Sequence, residues 1–360
     1  TTLFRSDLPD NNVPTDTIPD DTASTDTIPP VNVYLQDLPY DSLSSYNFFI
    51  GEDLSDLIPN EGLLRYEPIS QLFTDYAKKS RYVYMPEGSS ASYDSDTTTF
   101  NFPDGTILIK NFYYDNIVGS NSRRVMETRL IFKRNGEWEF ADYVWNAAQD
   151  EALFDLSGSN HPIDIVKADG SNLSVNYRIP SAQECLTCHK ESEKAWPIGP
   201  KPQNLNSDLA YQDGIMNQLM KWTESGYLLP TYPQNIETVV DWEDEAAGLK
   251  DRVRAYFDAN CGHCHKDNSH CSYRNIRLAY SESVVEENMG VCVPADDFLL
   301  DQPFLEYIID GGSPETSIMW YRLNSTETDV KMPLLGTSVV HEEGVNLITQ
   351  YINSLDTICP

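Results

Sequence analysis

The sequence lacks long hydrophobic runs and has few basic residues. No run of roughly 18 apolar residues occurs among its 360 residues, although a helix that crosses a bilayer needs about 20. We therefore expect no transmembrane segment. Lysine and arginine total 25 against 56 acidic residues, which gives a net charge of −31. Because nucleic acids and anionic membrane surfaces are bound by basic side chains, the composition excludes nucleic acid as a partner. It suits protein partners with basic surfaces, or simply a solvated surface.

The N-terminus lacks a methionine and a basic-then-apolar leader, and the chain begins at Thr1. We expect a mature N-terminus from which a signal peptide has been removed. A lipoprotein would carry its lipid on an N-terminal cysteine, and the sequence leaves open whether such a residue preceded Thr1. Residues 1–38 form a low-complexity acidic tail in which TDTIP occurs twice. Its composition is that of a solvated tether, but its regular prolines stiffen it. We expect the tail to lie along its own domain or to make an assembly contact with a neighbouring subunit.

Hydrophobic periodicity divides the rest of the chain. Alternating β-branched and aromatic residues at 106–114, 127–134 and 137–145 predict antiparallel strands, and hence a β-rich domain over residues 39–178. After Pro180 the pattern is that of helices and loops. Apolar residues at helical spacing in 246–260 and 342–355 predict two helices, and 214–226 predicts a shorter one.

Seven cysteines are present, and four of them form two C-x-x-C-H motifs. Cys185, Cys188 and His189 lie in ECLTCHK, and Cys261, Cys264 and His265 lie in ANCGHCHKDNSHC. This is the attachment signature of c-type haem. Two thiols three positions apart reach the two vinyl groups of one porphyrin, and the next residue provides the proximal imidazole of the iron. The motifs predict two covalently attached haem c groups.

Two other uses of these cysteines are weaker. The two pairs could supply one Cys₄ zinc site, but zinc does not require a histidine after each second cysteine, and the pairs are far apart in sequence. A redox C-x-x-C usually lies in a βαβ unit, and neither pair has that context. We therefore favour haem over zinc or a redox disulfide at both motifs.

The distal iron ligands are less evident. Met332, in the loop VKMPLLG ahead of the last predicted helix, is the candidate for the second haem, since Met is a common sixth ligand in electron carriers. For the first haem, Met216 and Met220 follow on the short predicted helix. That iron is either ligated by one of them or left open, and we lean towards a protein ligand. His263 and His270 are expected in loops or at the surface rather than as ligands.

The remaining three cysteines, Cys271, Cys292 and Cys359, allow one disulfide in three pairings. Attachment of c-type haem implies export to a compartment where disulfides persist, and we favour Cys271–Cys292. The predicted fold class is a multidomain α+β protein, in which the β-rich N-terminal domain is followed by mainly helical c-type haem domains. The predicted divisions are the tail (1–38), the β-rich domain (39–178), a first haem-binding region (179–248) and a class I cytochrome c-like domain (249–360).

Several stretches of the chain resemble a family of exported bacterial dihaem c-type cytochromes. The resemblance covers the chain from about residue 40 to its end and rests on the following segments: LFTDYAKKSRYVYMPEG (72–88), FPDGTILIKNF (102–112), IPSAQECLTCHK (179–190), PIGPKPQNLN (197–206), YFDANCGHCH (256–265) and KMPLLGTSVVHEEGVNLI (331–348). It implies a periplasmic, outer-membrane-associated or extracellular electron carrier. The residues that carry over from it are the two C-x-x-C-H motifs and Met332.

The sequence thus predicts a dihaem cytochrome that relays single electrons between redox protein partners outside the cytoplasm, a carrier rather than a catalyst. One alternative is a peroxidase-like dihaem enzyme, in which the first iron is open and the second haem feeds it electrons. Another is a haem-bearing subunit of a larger electron-conducting assembly, in which the tail and the β-rich domain serve for assembly.

Overall fold

A computed structural model of the chain describes residues 28–120, 122–296, 302 and 304–360. A six-stranded antiparallel sheet in the N-terminal half dominates the fold. Strands β1 (Phe49–Ile50) and β2 (Ile58–Pro59) form a short hairpin ahead of it. The sheet follows in simple up-and-down order: β3 (Leu64–Arg65), β4 (Lys78–Tyr84), β5 (Ile107–Tyr114), β6 (Arg124–Arg134), β7 (Glu137–Trp145) and β8 (Ala152–Phe154). Neighbours in sequence therefore pair throughout.

The strand residues alternate between two environments because successive side chains point to opposite faces. One face buries Tyr82, Ile109, Phe132 and Tyr143 against the segment that precedes β3, including Tyr46. That segment begins with the described end of the tail, where Pro29 and Pro30 carbonyls accept hydrogen bonds from the side chains of residues 60 and 47. The opposite face turns towards the cysteine motifs. The rest of the predicted tail, residues 1–27, lies outside the described residues.

A second hairpin and several short elements follow the sheet. Strands β9 (Ser159–Val166) and β10 (Asn172–Ile179) pair over their whole length and pack against Phe112 and Tyr114 of the sheet. The remaining elements are short: α1 (Ala182–Cys188), β11 (Lys190–Glu191), β12 (Lys194–Ala195), α2 (Pro202–Leu205), β13 (Asp208–Tyr211), β14 (Gly214–Asn217) and α3 (Gln218–Glu224). Thus residues 214–226 begin as a strand, and only their second half is helical.

The C-terminal part contains α4 (Leu249–Asn260), α5 (Ile318–Leu323) and α6 (Glu342–Ser354). Helices α4 and α6 lie at the predicted positions and share one core, in which Val253 and Phe257 of α4 join Ile348 and Ile352 of α6. Among the described residues, no helix is long and apolar enough to cross a membrane.

The fold-class prediction of mainly helical haem domains is wrong. The described residues contain six α-helices, of which only α4 and α6 exceed seven residues, and the chain is β-rich. Helical spacing indicates α4 and α6 correctly, but the segments around these two helices are largely non-helical. Prolines 197, 200 and 202 remove backbone donors near the first motif. The described residues between α4 and α5 form turns and single-turn 3-10 helices.

The disulfide joins Cys292 to Cys359, so the predicted Cys271–Cys292 pairing is wrong. Cys271 is a buried free thiol. Its main-chain N–H donates to the carbonyl of Cys264 at 3.0 Å, which keeps it beside the second motif rather than near the chain terminus. Cys271 and Cys292 are close in sequence, and this closeness favoured the wrong pair. Cys359 reaches Cys292 because the C-terminal segment folds back to residue 309, a path that sequence spacing does not reveal.

We predict that replacing both Cys292 and Cys359 by serine lowers the free energy of unfolding by about 4 kcal/mol. The bridge closes a loop with a sequence separation of 67, and a loop of that size restricts the unfolded chain by about this amount. Urea unfolding followed by tryptophan fluorescence measures the change. Cys271→Ala is the control and should destabilise by about 1 kcal/mol. Equal effects of the two changes would contradict the assigned pairing.

Candidate functional site

The first motif is held on α1 by a capping box. Ser181 Oγ accepts a hydrogen bond from the Glu184 main-chain N–H at 3.4 Å, and Glu184 Oε2 accepts from the Ser181 N–H at 2.7 Å. The same carboxylate is paired with Arg178 of β10 at 2.6 Å, which fixes the helix to the hairpin. Because residues three apart share a helix face, Cys185 and Cys188 lie on one side of α1.

His189 follows α1 directly and has a defined tautomer. Its Nδ1 lies 3.1 Å from the main-chain oxygen of Trp196. A carbonyl oxygen can only accept, so Nδ1 carries the proton and the lone pair is on Nε2. This is the arrangement of a metal-ligating histidine whose second nitrogen is oriented by the backbone. Burial is the main cause that lowers the pKa of His189 to about 4, and it favours the neutral imidazole that a metal requires.

The second motif begins where α4 ends. The Cys261 carbonyl accepts hydrogen bonds from the N–H groups of Cys264 and His265, both at 3.0 Å, and this tight turn gathers the three side chains. A Cβ on Gly262 would lie 3.1 Å from the Leu278 carbonyl oxygen, so the turn packs closely on the following loop. Asn260 ties the motif to the β-rich part of the chain, since its Oδ1 accepts from the Phe73 N–H at 2.8 Å.

One cavity collects the predicted residues of the second site. Cys261, Cys264, His265 and Met332 all line it, and its other walls are largely apolar, with Phe257 among them. His265 Nδ1 is buried and has no hydrogen-bond partner among the described residues. Burial lowers the pKa of His265 to about 4, so this imidazole is neutral near pH 7. Free thiols, a neutral imidazole and a thioether around an apolar cavity fit the donor set of a Met-ligated c-type haem.

The loop that carries Met332 is clamped from both sides. Lys331 Nζ donates to the carbonyls of Pro333, Leu334 and Thr337 at 3.1, 3.1 and 2.9 Å, which holds the loop in a closed turn. The carboxylate of Asp75, ahead of β4, accepts from the N–H of Ser338 at 2.7 Å and of Val339 at 3.2 Å. Burial raises the pKa of Asp75, and the hydrogen bonds from Ser338 partly oppose that rise. A residue of the β-rich part thus positions the Met332 loop.

A second cavity adjoins the first motif. Cys185, Cys188 and His189 line it together with the inner face of the six-stranded sheet. The ring of Phe140 on β7 lies 5.4 Å from that of His189, centroid to centroid. Met216 and Met220, the predicted ligand candidates, do not line this cavity. Met216 lies on β14, and Met220 on α3 is 59% exposed.

The two cavities meet at the motifs. Residues 188, 260, 263, 333 and 335 line both. The Sγ atoms of Cys188 and Cys264 and a ring nitrogen of His263 all lie within 4.8 Å of one another, and Cys264 Sγ is 3.5 Å from the Thr187 carbonyl. His263 is therefore half-buried between the cavities rather than at the surface, whereas His270 is exposed at the wall of the second site.

A Cys₄ zinc site does not form. Within the part of the chain that the structure describes, the one group of three or more clustered metal-binding side chains is Cys188, His263 and Cys264. Cys185 and Cys261 each line their own cavity instead. A structural zinc is held by four ligands, so three donors, with the other thiol of each pair directed elsewhere, fit it poorly.

Sequence analysis did not predict the polar wall of the first cavity, which includes Arg81, Lys110 and Arg129. These residues lie on three different strands, and only strand register brings them together. Only Lys110 has a sequence signal, because it interrupts the apolar strand ILIKNFYY.

No protein-family model, curated protein or solved structure matches this chain.

We predict that Asp75→Ala loosens the Met332 loop. The change leaves the N–H groups of Ser338 and Val339 without their acceptor, which should destabilise the fold by about 2 kcal/mol. It should also speed tryptic cleavage after Lys331. Asp104→Ala is the matched control, because its carboxylate accepts from the Gly136 N–H at an exposed turn. Cleavage after Lys331 at the wild-type rate would show that Asp75 does not hold this loop.

Proposed function

We propose that the chain is an exported dihaem c-type cytochrome that relays single electrons between protein partners. The observation that carries the proposal is the junction of the two motifs, where the sulfur atoms of Cys188 and Cys264 lie within 4.8 Å of one another. Groups attached through these two sulfurs are held at adjacent positions. Such closeness suits electron exchange within one molecule and serves no evident purpose in a pair of independent sites.

Haem bound here would supply a reversible one-electron iron couple. The chain supplies the rest. Cys185, Cys188, Cys261 and Cys264 are free, half-buried thiols, available for thioether bonds. His189 offers Nε2 in a tautomer set by the Trp196 carbonyl, and the Met332 thioether lines the same cavity as His265. Apolar walls around the second site exclude water and favour a high potential.

Export and a basic partner are supported by separate observations. The Cys292–Cys359 disulfide is typical of proteins outside the cytoplasm, where such bonds persist. The net charge of −31 would attract a redox partner with a basic surface and speed their encounter. These observations support a periplasmic, outer-membrane-associated or extracellular carrier.

One observation favours the peroxidase-like alternative. Among the described residues, no methionine lines the first cavity, and His263 is its one histidine besides His189. An iron held by His189 without a bond to His263 would have an open position. Carbon monoxide added to the reduced protein separates the two functions. Stoichiometric binding at one haem would favour the enzyme, whereas two haems that do not bind it would favour the carrier.

We predict that the mature protein carries two covalent haems and no zinc. Mass spectrometry of the acid-extracted chain should show the mass of two haems. Replacing Cys261 and Cys264 together by alanine should leave one, because each thiol pair holds its own group. Cys271→Ala is the control and should retain two. Haem that is extracted into acid–acetone, or a chain without haem, would end the proposal.

We predict that Met332→Ala removes the sulfur-to-iron charge-transfer band in the near infrared and lowers one midpoint potential. Loss of the thioether favours the oxidised iron, because Met ligation raises the potential. Met319→Ala is the matched control, since Met319 lines the same cavity from α5. If the band persists in Met332→Ala and disappears in the control, the assignment of the ligand is wrong.

A further inference from the structure

Three cations stand directly opposite one another across the sheet. Arg81 of β4 pairs with Lys110 of β5, and Lys110 pairs with Arg129 of β6. Directly opposed residues on neighbouring strands are about 5 Å apart at Cβ, and like charges in such pairs are destabilising. The row ends at Asp142 of β7, which is opposite Arg129. All four residues line the first cavity.

Among the described residues, only one of these three basic side chains, Arg129, has a carboxylate within 4 Å. Arg129 is bonded to Glu127 at 2.6 and 2.8 Å, and Asp142 lies 3.8 Å away. Arg81, which is 5% exposed, hydrogen-bonds to the neutral side chain of Gln71 at 3.2 Å.

Lys110 has weaker support still. Its Nζ lies 4.7 Å from the centroid of the Phe112 ring, and no described residue gives it a hydrogen bond or a carboxylate. Taking a cation out of water costs several kcal/mol unless it is paired. Burial, and then the charges of Arg81 and Arg129, lower the pKa of Lys110 well below its ordinary value. An anion on the cavity side of the sheet would therefore stabilise the charged forms of both Arg81 and Lys110.

An apolar strip runs beside this cationic row. Leu108, Ile131 and Phe140 are opposite one another on β5, β6 and β7. Each lies two residues along its strand from a member of the row, so the two strips share a face. All three side chains line the same cavity, and Phe140 contacts His189. The wall therefore suits a ligand with an apolar body and two carboxylates at one edge.

We infer that Arg81 and Lys110 bind the two propionate carboxylates of the haem attached at Cys185 and Cys188. The inference rests on the proposed function, and it adds a binding site on the β sheet to the cysteine motif. It gives the sheet a direct role at the first site. The two cations supply the charges that the carboxylates need, and the guanidinium of Arg81 suits bidentate pairing.

The test compares Arg81→Gln and Lys110→Gln with Lys78→Gln. Lys78 lies on the opposite face of β4, is largely exposed and pairs with Asp115, so its replacement removes a charge of the same sign away from the cavity. Spectroelectrochemical titration measures both midpoint potentials, and the near-infrared band marks the Met-ligated haem. Removing a cation from the first site favours the oxidised iron by Coulomb's law.

We expect Arg81→Gln and Lys110→Gln each to shift the first haem's midpoint to more negative values, with the second midpoint and Lys78→Gln unchanged. Arg81→Lys retains the charge, so its first midpoint should stay close to the wild-type value, and this comparison holds even if Arg81→Gln folds poorly. Unchanged midpoints in variants that still carry two haems by mass would overturn the inference and leave the proposed function standing. A wild-type chain without haem would overturn the proposed function itself.

Two further outcomes would also overturn the inference. If Lys110→Gln alone makes the first haem bind carbon monoxide, Lys110 is an iron ligand and not a carboxylate partner. If inorganic phosphate shifts the spectrum of the wild-type first haem and fails to do so in both glutamine variants, the row binds anions from solution. In that case its cations are not occupied by propionates.

Discussion

An ion pair between the half-buried Lys201 and the buried carboxylate of Asp258 holds the two halves of the site together. Lys201 Nζ lies 2.8 and 3.0 Å from the two carboxylate oxygens of Asp258. Burial disfavours the charged carboxylate, but the charge of Lys201 and the hydrogen bonds from Lys201, the Tyr280 N–H and Asn204 together outweigh it, so the pKa of Asp258 lies below its usual value. Lys201 precedes α2, after the first motif, and Asp258 lies on α4, just before the second. Removing one partner would leave an unpaired buried charge, which typically costs about 3–5 kcal/mol.

The β-rich part of the chain is therefore a component of the site and not an appended module. Its sheet forms a wall of the first cavity, Phe73 fixes Asn260 at the start of the second motif, and Asp75 holds the loop of Met332. Each of these contacts crosses a boundary that the hydrophobic pattern suggested. The hydrophobic pattern changes at residues 178 and 248, but residues from both sides of these positions line the first cavity.

Features that depend on residues close together in the sequence could be predicted, and features that depend on residues far apart in the sequence could not. Cys185, Cys188 and His189 are adjacent in the chain, so their spacing alone indicates a common site, and α4 and α6 follow from helical periodicity. Arg81, Lys110 and Arg129 become neighbours only through the register of three strands. The Cys292–Cys359 bridge depends on the path of the C-terminal segment. Sequence periodicity overestimates the helical content of the C-terminal part. It indicates α4 and α6, but the described residues between them lie largely in turns.

The contact of Asp75 with Ser338 joins residues that are 263 positions apart. Contacts of such large separation form late, since closing a long loop must precede any gain from the contact. A chain emerging from its N-terminus can pair the strands of the sheet early, because neighbours in sequence pair there. It cannot close the loop of residues 331–339 until nearly all of it has emerged. Both cysteine motifs would therefore remain accessible to other proteins during synthesis, until the last residues of the chain emerge and close the site.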